Sequence, residues 1–322
     1  MMTVGRPKAR APWVSWFFGL SLLVAVVMFA THHSQEMAFA QLILHARPVW
    51  LLVGLLLQTG TYMTDARIWQ RVLRCANISR PLRSYVGLGL AKLFMDQAIP
   101  SAGLSGTLLV IRALDRRGVP RDASMAAVVI DLVSYYAAYT LALVIALVIV
   151  WVHGDLTLLM AVPAGIFAPL AAAVPMALLW VSRGRTLPKW LKRLPFIRPA
   201  LRALGEATPA IAHDLSLITR CTGLQFAILA LDAGTLWIML WSLGLVVHPA
   251  PVFASFMLST LARTLGVVPG GLGVFEAASI ATLKLIGVPV AAGLASTLLF
   301  RFFTFWLPLA PGLILARRVA RA

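Results

Sequence analysis

The sequence predicts an all-α polytopic membrane protein, and three observations carry that prediction. Of 322 residues, 60% are apolar and 12% charged, and the mean hydropathy is +0.88, more apolar surface than a soluble fold can bury. The chain divides into apolar runs long enough for helices to cross about 30 Å of hydrocarbon. Its basic residues lie mostly between those runs: 28 Lys and Arg oppose 11 Asp and Glu, for a formal net charge of +17. In a multi-span chain that excess first reports topology, because positive loops stay cytosolic. The basic strips with interleaved aromatics of a nucleic-acid platform are absent, so no nucleic-acid partner is expected. No soluble region is large enough to carry an active site outside the membrane. Transport, lipid chemistry within the bilayer, and scaffolding remain. Cys75 and Cys221 are the only cysteines; both fall beside Arg-rich segments facing a reducing cytosol, so neither a disulfide nor a zinc site is expected.

Taken in order, Arg6, Lys8 and Arg10 precede an apolar run from Trp13 to Ala30. Ala38-Phe39-Ala40 imitates a signal-peptidase site but lies well beyond that run, which favours an uncleaved first span. Further spans fall at about 48–66, 123–152, 156–181, 221–247 and 290–315, making about six transmembrane helices. Trp13, Trp50, Trp151 and Trp180 stand near span ends, where an amphipathic ring prefers the interface. Two apolar stretches remain, at about 84–111 and 252–286, each with Pro and Gly in its middle. If the first crossed fully, Arg112, Arg116, Arg117 and Arg121 would lie outside, together with the basic loop 182–220, against the positive-inside rule. Two re-entrant hairpins instead place most of the basic residues, and both termini, on the cytoplasmic side of the inner membrane. The 322 residues then read as a single integral membrane domain.

The chain also matches itself. Pro100-Ser101-Ala102-Gly103-Leu104-Ser105-Gly106 is followed by Gly118-Val119-Pro120; at the same offset, Pro269-Gly270-Gly271-Leu272-Gly273 is followed by Gly287-Val288-Pro289. With the topology above, repeat 1 (about 48–152) and repeat 2 (about 221–316) run with opposite sense, an inverted-topology repeat of the kind found in secondary transporters. Where Pro removes an N–H and Gly permits positive φ, a helix breaks and leaves polar backbone groups that only protein or a wet cavity can satisfy in a bilayer. Two opposed tips then meet around a polar cavity, and the helix starting after Gly273 aims its N-terminal N–H groups there. The plainer alternative is that the breaks only kink packed helices.

Lys92, Asp96, Asp131, Asp232, Arg263, Glu276 and Arg301 fall inside apolar stretches, where charge is costly, so each is expected to pair or to face water. Arg263 and Glu276 flank the second tip and Arg301 lies in the last span; two Arg with one carboxylate suit a phosphodiester. A closed Arg-Glu bridge is the competing reading. Lys92 and Asp96, at i and i+4, are expected to neutralise one another. Asp131 and Asp232 are candidates for proton coupling, set against buried structural hydrogen bonds. His32, His33, His45, His153 and His248 show no metal-ligand spacing, so no metal is expected. No Walker loop, Ser nucleophile elbow or paired-carboxylate motif occurs; no catalytic residue and no cofactor are expected. Residues 185–194 read as a basic amphipathic segment lying on the inner leaflet.

At Val268-Pro269-Gly270-Gly271-Leu272-Gly273-Val274-Phe275-Glu276-Ala277, Gly287-Val288-Pro289, Leu299-Phe300-Arg301 and Phe305-Trp306-Leu307-Pro308, the chain resembles the flippase-like family. This is the transmembrane region of lysylphosphatidylglycerol synthases and its stand-alone relatives. Pro100 to Gly106, with Arg112, Arg116, Arg117 and Gly118-Val119-Pro120, looks like the first half of that family, departing at Ser101 and Ala102. The resemblance implies a lipid translocator rather than an enzyme, because the synthetase domain that attaches the amino acid is not in these 322 residues. Its expected cargo is an anionic or aminoacylated phospholipid or a polyprenyl-phosphate-linked lipid. Carried over residue by residue, it points to Pro269, Gly270, Gly271, Gly273, Glu276 and Arg301. With Arg263, Lys92, Pro100 and Gly103 these form the expected headgroup site. A non-transporting membrane partner of a separate lipid- or envelope-modifying enzyme is the rival; an intramembrane lipid-phosphate enzyme is disfavoured by the scarcity of clustered His, Asp and Glu.

Overall fold

The computed structural model describes residues 46–98, 104–152, 214–265 and 268–321, with a few isolated positions between 20 and 173. The spans expected at 13–30 and 156–181, the basic loop 182–220 and the tip residues Pro100 and Gly103 lie outside the described residues. Every described element is helical. Helix α1 is Pro48–Cys75, α2 Leu82–Ala98, α3 Leu104–Asp115, α4 Arg121–Val152, α5 Leu215–Ser242, α6 Pro249–Leu265 and α7 Val274–Leu285. The last element is α8 (Val290–Arg301), a π-helical turn (Phe302–Trp306) and α9 (Leu307–Arg321), running on without a break.

Three described helices are long and apolar enough to cross a membrane: Arg121–Val152, Leu215–Ser242 and Val290–Arg318. They match three expected spans. The run at 48–66 lies within α1, which continues for nine further residues to Cys75 through Arg67, Arg71 and Arg74. Continuous helix keeps the backbone hydrogen bonds closed while basic side chains reach toward the interface. The two interrupted stretches each become two helices that pack on one another, α2 with α3 and α6 with α7. At 17 and 12 residues, α2 and α3 extend about 25 Å and about 18 Å, each short of the hydrocarbon thickness.

Helix lengths recur in order. α1 to α4 have 28, 17, 12 and 32 residues; α5 to α7 have 28, 17 and 12, and the final element runs 12, 5 and 15, matching α4. α1 and α5 lie antiparallel, with the Arg47 N–H donating to the Ser242 carbonyl at 2.9 Å. Small residues bring them close: a Cβ on Gly54 would collide with the Met239 side chain. The long helices exchange partners, since α9 packs on α2 and α4 packs on α6.

The two ends of the molecule differ. At one, a buried cluster from Ala66 to Leu73, Leu114 to Val133 and Leu217 to Cys221 underlies Arg67, Arg71, Arg74, Arg80, Arg112 and Arg121. At the other, Trp50 stacks edge-on against Trp241 at 5.1 Å and Trp237 lies 4.8 Å from Trp241, with the Trp237 indole N–H donating to the Val247 carbonyl at 2.7 Å.

Candidate functional site

The second break is built from glycines in the left-handed region. Gly270, Gly271 and Gly273 have φ of 58°, 65° and 80°, which an L side chain adopts only with strain. Their close surroundings add a second reason for glycine: a Cβ on Gly270 would strike the Phe305 ring, and one on Gly271 the Cγ of Arg263. Glu276, in the first turn of α7, turns back so that its Oε2 accepts the Gly273 N–H at 2.6 Å, satisfying a donor that the helix start leaves unpaired.

Arg301 completes this knot. Its Nε donates to Glu276 Oε1 at 2.8 Å, one Nη donates to the Gly270 carbonyl at 2.8 Å, and its guanidinium lies 4.5 Å from the Phe305 ring centre. Glu276 is 1% exposed and Arg301 3%. The closed Arg-Glu bridge is therefore the arrangement adopted, and Arg301 ties Glu276 to the Gly270 backbone. Phe305 belongs to the π turn, an insertion in the hydrogen-bond ladder of the kind that collects at functional positions. The turn Pro269–Gly271 also touches α2, while Gln97 at the end of α2 donates to the Thr304 carbonyl at 3.4 Å. The end of α2 and the second break thus meet at the π turn, and Gln97 Oε1 is buried there without a partner among the described residues.

Arg263 differs from Arg301. It is half-buried, its stem crosses Gly271, and its charge acts on Asp232, Tyr135 and Arg301. It makes no ion pair within 4.0 Å among the described residues. Asp232 is held by Gln58 Nε2 at 3.0 Å and the Thr61 hydroxyl at 3.4 Å.

The first repeat carries a second charged group. Lys92 pairs with Asp131 on α4, Nζ to Oδ2 at 2.7 Å, and not with Asp96 as its i, i+4 spacing implied. A basic residue N-terminal to its acid is the weaker order on a helix, and Asp96 is engaged elsewhere, its Oδ1 accepting the Gly106 N–H at 2.9 Å and so capping α3. The other oxygen of Asp131 accepts Gln225 Nε2 at 2.9 Å, so the buried hydrogen-bonding reading describes both Asp131 and Asp232 here. Asp65 joins Lys92, Asp96 and Asp131 electrostatically, its carboxylate lying against Gly89. Sequence reasoning missed Asp65 because it stood at the edge of the apolar run 48–66; the signal was the helix-compatible stretch that continues past it. Tyr135 feels Arg263, Lys92, Asp131 and Asp232 together and so links the two groups.

Interrupted apolar helices around a charged interior define a polytopic helical membrane protein. The chain belongs to the family described as the lysylphosphatidylglycerol synthase TM region, whose model matches residues 16–312, nearly its whole length. This is a membrane region related to lipid handling. No curated protein matches the chain.

Proposed function

We propose that this protein translocates a lipid across the inner membrane, taking the headgroup through the charged centre while the acyl chains stay in the bilayer. The cargo class is an anionic or aminoacylated phospholipid or a polyprenyl-phosphate-linked lipid, and both termini face the cytoplasm. The observation that carries the reading is Arg263: the buried Arg301 is spent on Glu276 and Gly270, whereas the half-buried Arg263 makes no ion pair among the described residues, at the junction of the two halves. An open forked cation beside a wet path suits a lipid phosphate. The recurring series of helix lengths and the antiparallel α1 and α5 support an inverted repeat with two re-entrant hairpins, whose midpoint is where transporters of this build place their cargo. Glu276 and Arg301 position the tip; Lys92, held by Asp131, Asp65 and Asp96 line the approach, with Asp131 and Asp232 as the groups available for proton coupling.

The test is reconstitution into liposomes carrying fluorescently headgroup-labelled anionic and zwitterionic lipids, with dithionite added outside. Bleaching beyond the outer-leaflet half, slowed about tenfold or more by Arg263→Ala, the loss expected of a hydrogen bond to a charged group, supports the reading. Bleaching that stops at that half for every lipid, from folded protein, favours instead a non-transporting partner of a lipid- or envelope-modifying enzyme.

A further inference from the structure

Away from this centre, the α1–α2 and α3–α4 loops lie side by side at the arginine-rich end. Each turns through a left-handed residue, Asn77 at φ 60° and Gly118 at φ 73°. Gln70 Nε2 donates to the Arg80 carbonyl at 3.0 Å, and Arg80 Nη2 donates to the Arg117 carbonyl at 2.9 Å, so the loops are tied through two residues of like charge. Beneath them Tyr85 is 0% exposed. Its hydroxyl and Arg117 Nη1 are both buried without a hydrogen-bond partner among the described residues. The charges acting on Tyr85 are Arg80, Arg117 and Arg74, and those on Arg117 are Arg80 and Tyr85; no carboxylate is among them. Burial first, and the neighbouring Arg80 second, weaken the hold of Arg117 on its proton. Natural folds rarely leave buried donors unmade, yet among the described residues no acceptor meets the Tyr85 hydroxyl or Arg117 Nη1, and the exposed guanidiniums of Arg74 and Arg80 stand beside them.

We propose that these two loops form a phosphate-binding site, with Arg80 and Arg117 supplying guanidinium donors, the Tyr85 hydroxyl a third donor beneath them, and Arg74 adding positive charge. Planar guanidinium forks match the oxygens of a phosphate group. The group belongs either to an anionic lipid headgroup at the interface or to a free phosphate. The site does not rest on lipid movement and stands if the protein moves none.

The experiment uses the full chain in phosphatidylcholine nanodiscs. Inorganic phosphate is titrated by calorimetry against chloride at matched ionic strength, and retention of phosphatidic acid over phosphatidylcholine is counted by native mass spectrometry. Wild type is compared with Tyr85→Phe, Arg117→Gln, Arg80→Gln and, as a surface-charge control, Arg83→Gln. Arg117→Gln is expected to weaken binding by about tenfold or more, as loss of a charge-assisted hydrogen bond does, Tyr85→Phe by several-fold, and Arg83→Gln not at all. Binding of free phosphate alone, of phosphatidic acid alone or of both, with that dependence, supports the site and identifies the source. The proposal is overturned if neither probe binds better than its control, or if Arg83→Gln weakens binding as much as Arg117→Gln. Should Arg117→Gln fail to fold, Arg80→Gln, at an exposed guanidinium, decides the same question.

Discussion

The Glu276–Arg301 contact joins two opposite charges that are both almost wholly withdrawn from water. Such a pair is strongly coupled because removing one partner strands the other. Glu276→Gln and Arg301→Met are each expected to destabilise the protein by about 3–5 kcal/mol, and the double variant by far less than their sum. Unfolding in detergent by a tryptophan signal checks this; additive losses would make the contact incidental. Glycine at the tip has a sharper test. Gly271→Ala forces a Cβ into left-handed backbone, at about 1–2 kcal/mol, and into the Arg263 stem, so it should also stop lipid movement. Gly244 has φ 82°, and a Cβ added there would meet nothing within 4 Å. Gly244→Ala should carry the backbone cost alone and leave transport intact, as the dithionite assay would show.

Among elements, α6 and α7 are tied along their length as well as at the break between them. The Ser255 and Thr282 hydroxyls are 2.7 Å apart, and those of Ser279 and Thr297 2.8 Å, joining α6 to α7 and α7 to α8 through small polar side chains that let helices pack closely in lipid. With the Ser255–Thr282 bond between them, α6 and α7 are expected to move as one body. In a background with Cys75 and Cys221 replaced, a Ser255→Cys/Thr282→Cys disulfide should therefore leave lipid movement unchanged. Loss of movement on oxidation, restored by reductant, would show that α6 and α7 must part. The breaks themselves were legible in sequence, since Pro and clustered Gly interrupt helices for local reasons. The partner of Lys92 was not: sequence spacing offered Asp96, but the Gly106 N–H at the start of α3 claimed that carboxylate, and only the packing of α1 against both α2 and α4 brought Asp131 within reach.

For the whole molecule, charge and aromatic residues mark opposite ends: arginines at the junctions of α1 with α2 and of α3 with α4, and the stacked Trp50, Trp237 and Trp241 at the other end. By the positive-inside rule the arginine end is expected to face the cytoplasm. Cys75 is exposed near the arginine end and Cys221 is buried there. In intact cells a membrane-impermeant maleimide should leave both unlabelled; after permeabilisation it should label Cys75 but not Cys221 in folded protein. Labelling of Cys75 before permeabilisation would invert the topology.

The sequence by itself determined that this is a helical membrane protein, where its apolar stretches are interrupted, and which charges lie in apolar surroundings. Those features follow from composition, glycine and proline placement and the cost of charge in hydrocarbon, all of them local. Tertiary structure alone decided the pairing: Arg301 closed on Glu276 and Gly270, Lys92 on Asp131, Asp96 on the start of α3, and Arg263 without an ion pair among the described residues. Partner choice depends on which helices pack together and which backbone donors they strand, contacts between residues far apart in the chain that spacing along it does not encode.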